Sequence, residues 1–321
     1  MSKNKKQKIQ QKEEPKIVYP DMKGAAGDNE EFFSAGHNAC SGCGAAIAMR
    51  HIANIIGKNS IVSLATGCME VVSTSYPNSS WKLPLIHSAF ENAAATASGI
   101  EASLKQQGKK GINVVAIAGD GGTFDIGLQA LSGMIERQQK ILFICYDNEA
   151  YMNTGIQRSA ATPEFAETTT TPYGKIDHGK IERKKNMPFI IAAHDENIYV
   201  ATANISYLGD LKQKILKALN FNGPSYIQIF TPCIPGWRIP ESSAIEISRL
   251  AVQTRANLLY EIEKGVLKLN VEVPNPKTVR EYLKMQGRFS KITDQEVKVM
   301  QDHLNAEYER LKKLNGKKLF E

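Results

Sequence analysis

A short acidic turn in one part of the chain and an amide-bearing stretch in another are suited to hold a divalent cation and a phosphorylated cofactor together. The turn is Gly119-Asp120-Gly121-Gly122, and the stretch runs Tyr146-Asp147-Asn148-Glu149-Ala150-Tyr151-Met152-Asn153-Thr154-Gly155. The Asp120 carboxylate, the Asn148 amide oxygen and a nearby backbone carbonyl are hard oxygen donors, the kind that suit Mg²⁺ held partly by phosphates. Glycines flanking Asp120 let the backbone come close to a diphosphate, and a helix after them offers its first N–H groups to the anion. An Asp between glycines is by itself usually only a turn. The second stretch is what gives it meaning.

The cysteines offer a second chemistry. Cys40 and Cys43 form a CxxC inside the glycine-rich run 36–46, while Cys68 and Cys233 each follow an expected strand. All four can therefore meet near one edge of a sheet. Four thiolates serve Zn²⁺ or a [4Fe–4S] cluster, and their spacing does not choose between the two. Cys145 lies inside an apolar strand and reads as a packed core thiol.

The elements that must position these groups follow from hydrophobic periodicity. Residues 113–118 (NVVAIA) and 141–145 are short apolar runs that read as buried parallel strands. Between them, Ile126, Leu128, Leu131 and Ile135 recur at helical spacing over 124–137. Strand, turn, helix and strand in that order put Asp120 and Asn148 at neighbouring strand tips, on the carboxyl edge of an open α/β sheet where ligands bind. A helix ending near residue 56, a strand over 61–65, an alanine-rich helix over 90–106, strands over 192–203 and 225–230, and a helix over 208–219 complete the expected layers. Beyond residue 240 the pattern predicts helix to about 264 and again over 294–314. Residues 152–187 show little periodicity, and a loop of that length is uncommon unless functional.

The fold class expected is α/β, an open, mostly parallel sheet with flanking helices. Residues 1–18 read as a disordered basic tail, 19–240 as the cofactor-binding domain with the cysteines, and 241–321 as a C-terminal helical extension packing on that domain or on partner subunits. The net charge of +7 sits largely in the first residues and in Lys312, Lys313, Lys317 and Lys318. Solvated tails account for most of it. No aromatics interleave the basic tail, which argues against nucleic acid, and no apolar run approaches the ~20 residues that span a bilayer. The amino terminus lacks a signal-peptide core, so a cytoplasmic setting is expected, where disulfides are rare.

GDG followed about one helix and one strand later by Asn resembles the thiamine-diphosphate signature. The runs GHNACSGCG, TGCMEV, HSAFENAAATASG, GDGGTFDIGLQALSGM and YDNEAYMNTGIQRS together resemble the β subunit of multi-subunit pyruvate:ferredoxin oxidoreductase (pyruvate synthase), in the 2-oxoacid:ferredoxin oxidoreductase family. The likeness reaches from about residue 36 past Gly287-Arg288-Phe289. It implies a thiamine-diphosphate-binding (pyrophosphate-type) domain with a [4Fe–4S] cluster on Cys40, Cys43, Cys68 and Cys233. It implies Mg²⁺ on Asp120, Asn148 and the Ala150 carbonyl, and Asn153 as the catalytic residue facing the thiazolium and the bound oxoacid. Gly67 and Cys68 fall in the turn packed against the cofactor, and Gly119, Gly121, Gly122, Tyr151 and Thr154 complete its wall.

The activity so implied is reversible oxidative decarboxylation of pyruvate to acetyl-CoA and CO₂, with coenzyme A as acyl acceptor and electrons passing to ferredoxin. The Asn153-Thr154 pair favours pyruvate over 2-oxoglutarate, and 2-oxoisovalerate or oxalate stay open. The glutamate that thiamine enzymes set against the aminopyrimidine has no evident place in this chain, so the resemblance implies α-, γ- and δ-type partner subunits and an active site at an interface. The rival from another class is a non-redox thiamine enzyme with a structural zinc. Plainer roles compete at single residues: His37 as a structural histidine, Glu91 and Asn92 as helix-start residues, and Arg158 as half of a loop salt bridge.

Overall fold

The computed structural model describes residues 31–320; the expected basic tail over 1–18 lies outside them. One eight-stranded sheet organises the chain, built from β1 (Ser60–Ala65), β2 (Leu85–Ser88), β3 (Asn113–Gly119), β4 (Leu142–Asp147), β5 (Tyr199–Asn204), β6 (Ser225–Phe230), β7 (Tyr260–Glu263) and β8 (Val266–Leu269). Their order is β2-β1-β3-β4-β6-β5-β7-β8. The first six strands run parallel, and β7 and β8 close the far edge antiparallel. β3 and β4 are direct neighbours, with Gly119 opposite Tyr146, so Asp120 and Asn148 leave the sheet side by side.

Helices cover both faces: α1 (Gly44–Ile56), α2 (Cys68–Ser73), α3 (Ala93–Gln106), α4 (Leu128–Glu136), α5 (Met187–Ala192), α6 (Leu208–Asn220), α7 (Ile234–Trp237), α8 (Ala244–Gln253), α9 (Val279–Lys284) and α10 (Asp294–Leu314). Strand side chains alternate between two apolar layers. Val115 and Ile117 join the layer under α1 and α6, whereas Val114, Ala116 and Ala118 join the one under α3, α4 and α10. Burial on both faces is why these strands read as continuous apolar runs. A third cluster around Trp237, Ile247, Tyr282 and Phe289 packs the C-terminal segment together. Thr293 and Glu296 form a reciprocal capping box that starts α10 where the apolar pattern begins.

Four departures from the sequence expectation have physical causes. The run 124–137 is not one helix: Gly121–Asp125 forms a π-helical turn before α4, and the break rotates Ile126 out of the apolar stripe to 54% exposure. The stretch 192–203 is strand only from Tyr199, because Asn186 caps α5 with Pro188 in its first turn and Asp195 then turns the chain by accepting from the Asn197 N–H at 2.7 Å. Helix α8 ends at Gln253 rather than near 264, and β7 and β8 follow. Lys264 and Gly265, both at positive φ, make the two-residue hairpin turn between them. The C-terminal segment thus adds strands to the sheet as well as helices. Finally, α2 and the short edge strand β2 were not anticipated, each being too brief to show a period.

Candidate functional site

A cleft of about 160 Å³ opens at the carboxyl ends of β1, β3 and β4. Gly67, Cys68, Gly119, Asp120, Gly121, Asn148, Ala150, Tyr151, Asn153 and Thr154 all line it, although they come from three separate parts of the chain. Gly122 does not; it lies behind the wall, close to the Phe90 carbonyl. Two of the glycines are steric necessities. A methyl group at Gly67 would stand 2.7 Å from the Tyr146 hydroxyl, and one at Gly121 would stand 2.4 Å from the Tyr151 ring.

Three oxygens converge on one wall. Asn148 Oδ1 stands 2.9 Å from Asp120 Oδ1 and 2.9 Å from the Ala150 carbonyl oxygen. These are acceptors facing acceptors. Turned over, the Asn148 amide would instead donate to both oxygens, so the two orientations suit the same site with and without a cation. Adjacent ligands of an octahedral Mg²⁺, with bonds of about 2.1 Å, are about 3 Å apart, and the observed spacing fits that edge. Burial and the neighbouring Asp147 push the Asp120 carboxyl well above its usual range, while a Ser159 hydroxyl donates to its Oδ2 at 2.5 Å. A cation on these oxygens would favour the ionised form.

Beneath the triad lies a buried ion network. Lys184 Nζ reaches Asp147 Oδ2 at 2.6 Å and Glu149 Oε1 at 2.9 Å, and Arg288 reaches Glu149 Oε2 at 2.6 Å. Burial alone would raise the Glu149 carboxyl, but Lys184 and Arg288 outweigh it and hold the group below the usual range. Burial likewise opposes charge on Lys184, yet Asp147 and Glu149 keep its ammonium above the ordinary lysine value. The long loop over 152–187 is tied to this base: Ala160 N–H donates to Asp125 Oδ2 at 3.1 Å, Thr162 Oγ1 donates to the Glu149 carbonyl at 2.7 Å, and Lys185 donates to the Phe124 carbonyl.

The cysteines gather at the same edge. Cys43 caps α1, Cys68 opens α2 and Cys233 caps α7. Gly44 N–H donates to the Pro232 carbonyl at 3.3 Å, joining two of their loops. Burial, then Cys233, Cys43, Asp120 and Cys40, push the Cys68 thiol up to about 12. Burial, with Cys43 and Cys40, does the same to Cys233, whose sulfur also receives the Gly236 N–H. Cys40 is exposed. Among the described residues no group of three or more His, Cys, Asp or Glu is placed to hold one metal ion. Cys68 belongs both to this set and to the cleft wall. Cys145, fully buried in β4, stands in the core.

Plainer roles are visible at Arg158 and His37. Arg158 pairs with Glu182 at 3.3 Å on the surface. His37 accepts from the Ala39 N–H at 3.4 Å and packs on Phe33. Glu91 is exposed, and Asn92 precedes α3 without a capping hydrogen bond. Sequence reasoning missed Ser159, Lys184 and Arg288. Each lies far along the chain from the group it touches, and no local period marks it.

Fold and cleft together define a thiamine-enzyme domain: residues 65–229 match the family described as thiamine pyrophosphate enzyme, C-terminal TPP binding domain. The pyruvate synthase subunit PorB of Methanocaldococcus jannaschii is 53% identical, covering 86% of this chain and 95% of that protein. The ketoisovalerate oxidoreductase subunit VorB of Pyrococcus abyssi is 48% identical, covering 89% and 94%. A solved 2-oxoglutarate:ferredoxin oxidoreductase from Magnetococcus marinus shares the fold at TM-score 0.52 and 22% identity, over 69% of this chain and 81% of that one. The chain belongs to this family of 2-oxoacid:ferredoxin oxidoreductase B subunits and is an enzyme subunit. Among the described residues no helix is long and apolar enough to cross a membrane.

Proposed function

We propose that this chain is the catalytic β subunit of a pyruvate:ferredoxin oxidoreductase, holding thiamine diphosphate, Mg²⁺ and a [4Fe–4S] cluster. The observation that carries the reading is the double membership of Cys68, which lines the cofactor cleft and stands among the four edge cysteines. A cluster ligated by Cys68 would adjoin the cofactor wall and give single electrons a short path.

Thiamine diphosphate, when bound, supplies the electron sink for cleaving a 2-oxo acid. The chain's own residues do the rest. Asp120, Asn148 and the Ala150 carbonyl would hold Mg²⁺, and the Ser159 hydroxyl fixes the other oxygen of the Asp120 carboxylate. Gly121, bare of a side chain, lets the Tyr151 ring pack against the turn and form part of the cofactor wall. Asn153, exposed on the cleft rim, offers its amide to the oxoacid. Among the described residues no glutamate lines the cleft, which supports an acid supplied to the aminopyrimidine by a partner subunit. Coenzyme A and ferredoxin approach through the same assembly, and free cysteines suit a reducing, cytoplasmic setting.

A branched oxoacid is the second reading, since the ketoisovalerate relative is nearly as similar as the pyruvate one. An anaerobic visible and EPR spectrum of the purified complex tests both, taken before and after adding an oxoacid with thiamine diphosphate, Mg²⁺ and CoA. We expect iron–sulfur absorption that bleaches with pyruvate and is lost or reshaped in Cys68→Ala. Bleaching with 2-oxoisovalerate alone would move the substrate, and a colourless zinc-loaded protein would sink the redox role.

A further inference from the structure

Glu149 sits between the two neighbours that supply oxygens to the cation site, and its backbone is left-handed at φ +69°. Side chains other than Gly, Asn and Asp seldom adopt that conformation. The turn it makes is what brings the Asn148 side chain and the Ala150 carbonyl to one point. Within the turn the Glu149 N–H donates to Asp147 Oδ1 at 3.1 Å, and the other holding groups lie at a distance in the chain.

Arg288 donates to Glu149 Oε2 at 2.6 Å and lies 3.8 Å over the Trp237 ring. Trp237 in turn donates its indole N–H to the Asn148 main-chain carbonyl at 2.9 Å. Both side chains are at least 98% buried. Through Glu149 and the Asn148 carbonyl, Arg288 and Trp237 grip the cation loop from outside, and neither of them lines the cleft. Trp237 ends α7, the short helix that Cys233 caps, so the same grip ties the cation loop to a cysteine loop.

We propose that Arg288 and Trp237 are positioning residues for the cation–diphosphate site, acting through the strained turn at Glu149. The proposal rests on the reading that Asp120, Asn148 and Ala150 hold Mg²⁺. Without Arg288, the buried Glu149 carboxylate keeps only Lys184, which it shares with Asp147. The turn then relaxes and the two oxygens part. Without the indole N–H, the Asn148 carbonyl loses its donor while the stacked ring stays.

The test is calorimetric titration of Mg²⁺ into the assembled, metal-stripped complex saturated with thiamine diphosphate. Arg288→Met should weaken Mg²⁺ binding by about 10- to 100-fold, as is usual for groups that orient metal ligands. Its Mg²⁺ requirement for turnover should rise by the same factor, with kcat recovered at saturating Mg²⁺. Arg288→Lys should restore part of the affinity, and Trp237→Phe, which keeps shape and stacking, should show a smaller loss. Wild-type Mg²⁺ affinity in Arg288→Met and Trp237→Phe would overturn the proposal, as would a fall in kcat that excess Mg²⁺ does not repair. If Asp120→Asn abolishes Mg²⁺ binding while those two variants keep it, the functional reading stands and this proposal alone fails. If the wild-type complex binds the cofactor with no Mg²⁺ dependence, both fall.

Discussion

Lys180 shows how far burial can move a single group in this structure. It is 1% exposed, and its ammonium donates to the carbonyls of Thr162 at 2.6 Å and Arg183 at 3.3 Å, with no carboxylate among the described residues bound to it. Burial pulls it down to about 8, against an ordinary value of about 10.4. Between those two values the unfolded chain binds the proton and the folded chain does not, so folding stability from this group rises with pH. Melting temperatures of wild type and Lys180→Met, measured from pH 7 to 10, should therefore diverge in favour of wild type as pH passes about 8. Parallel curves would show that Lys180 keeps an ordinary affinity for its proton. Asp120 illustrates the same physics with the opposite remedy: its buried acid sits beside Asn148 and Ala150 oxygens that only a cation or a turned amide reconciles.

At the scale of elements, short turns with unusual backbone carry the site and close the sheet. The π-helical turn Gly121–Asp125 delays the start of α4, and its Asp125 receives both the Tyr151 hydroxyl at 3.0 Å and the Ala160 N–H. One irregular turn thus anchors both the cleft wall and the long loop. The β7–β8 hairpin depends on Gly265 at φ +75°, where a methyl group would meet nothing closer than 3.9 Å. The cost of Gly265→Ala is therefore conformational rather than steric, about 1 kcal/mol. A urea titration should show that loss as a lower midpoint with an unchanged slope. A midpoint equal to wild type would mean that the hairpin turn tolerates a side chain.

For the whole molecule, the proposed function makes the cleft half of a site. Among the described residues its wall contains Asp120 and amides but no glutamate, and the relatives that match it over most of their length are themselves named as subunits. The chain purified without partner subunits should fail to turn over any 2-oxoacid, and adding the partners should restore activity. Turnover by the isolated chain at the rate of the complex would place the missing acid within it.

Much of this was legible in the sequence because it is local. Apolar runs of strand length located β1, β3, β4 and β6; GDGG and YDNEAYMN placed an acid and an amide at adjacent strand tips; the cysteines announced themselves by type. The hairpin after residue 260 was hidden because Lys-Gly is a weaker turn signal than Asn-Gly and helical spacing continued through it. The sequence by itself determined which atoms are available: a carboxylate, an amide, a carbonyl and four thiols, each set at the end of a local element. Only the tertiary structure decided which distant groups hold them, Ser159 on Asp120, Lys184 across Asp147 and Glu149, and Arg288 over Trp237. The physical reason is that periodicity reports a residue's face on its own element, whereas a buried charge takes its partner from whatever the packing brings within reach.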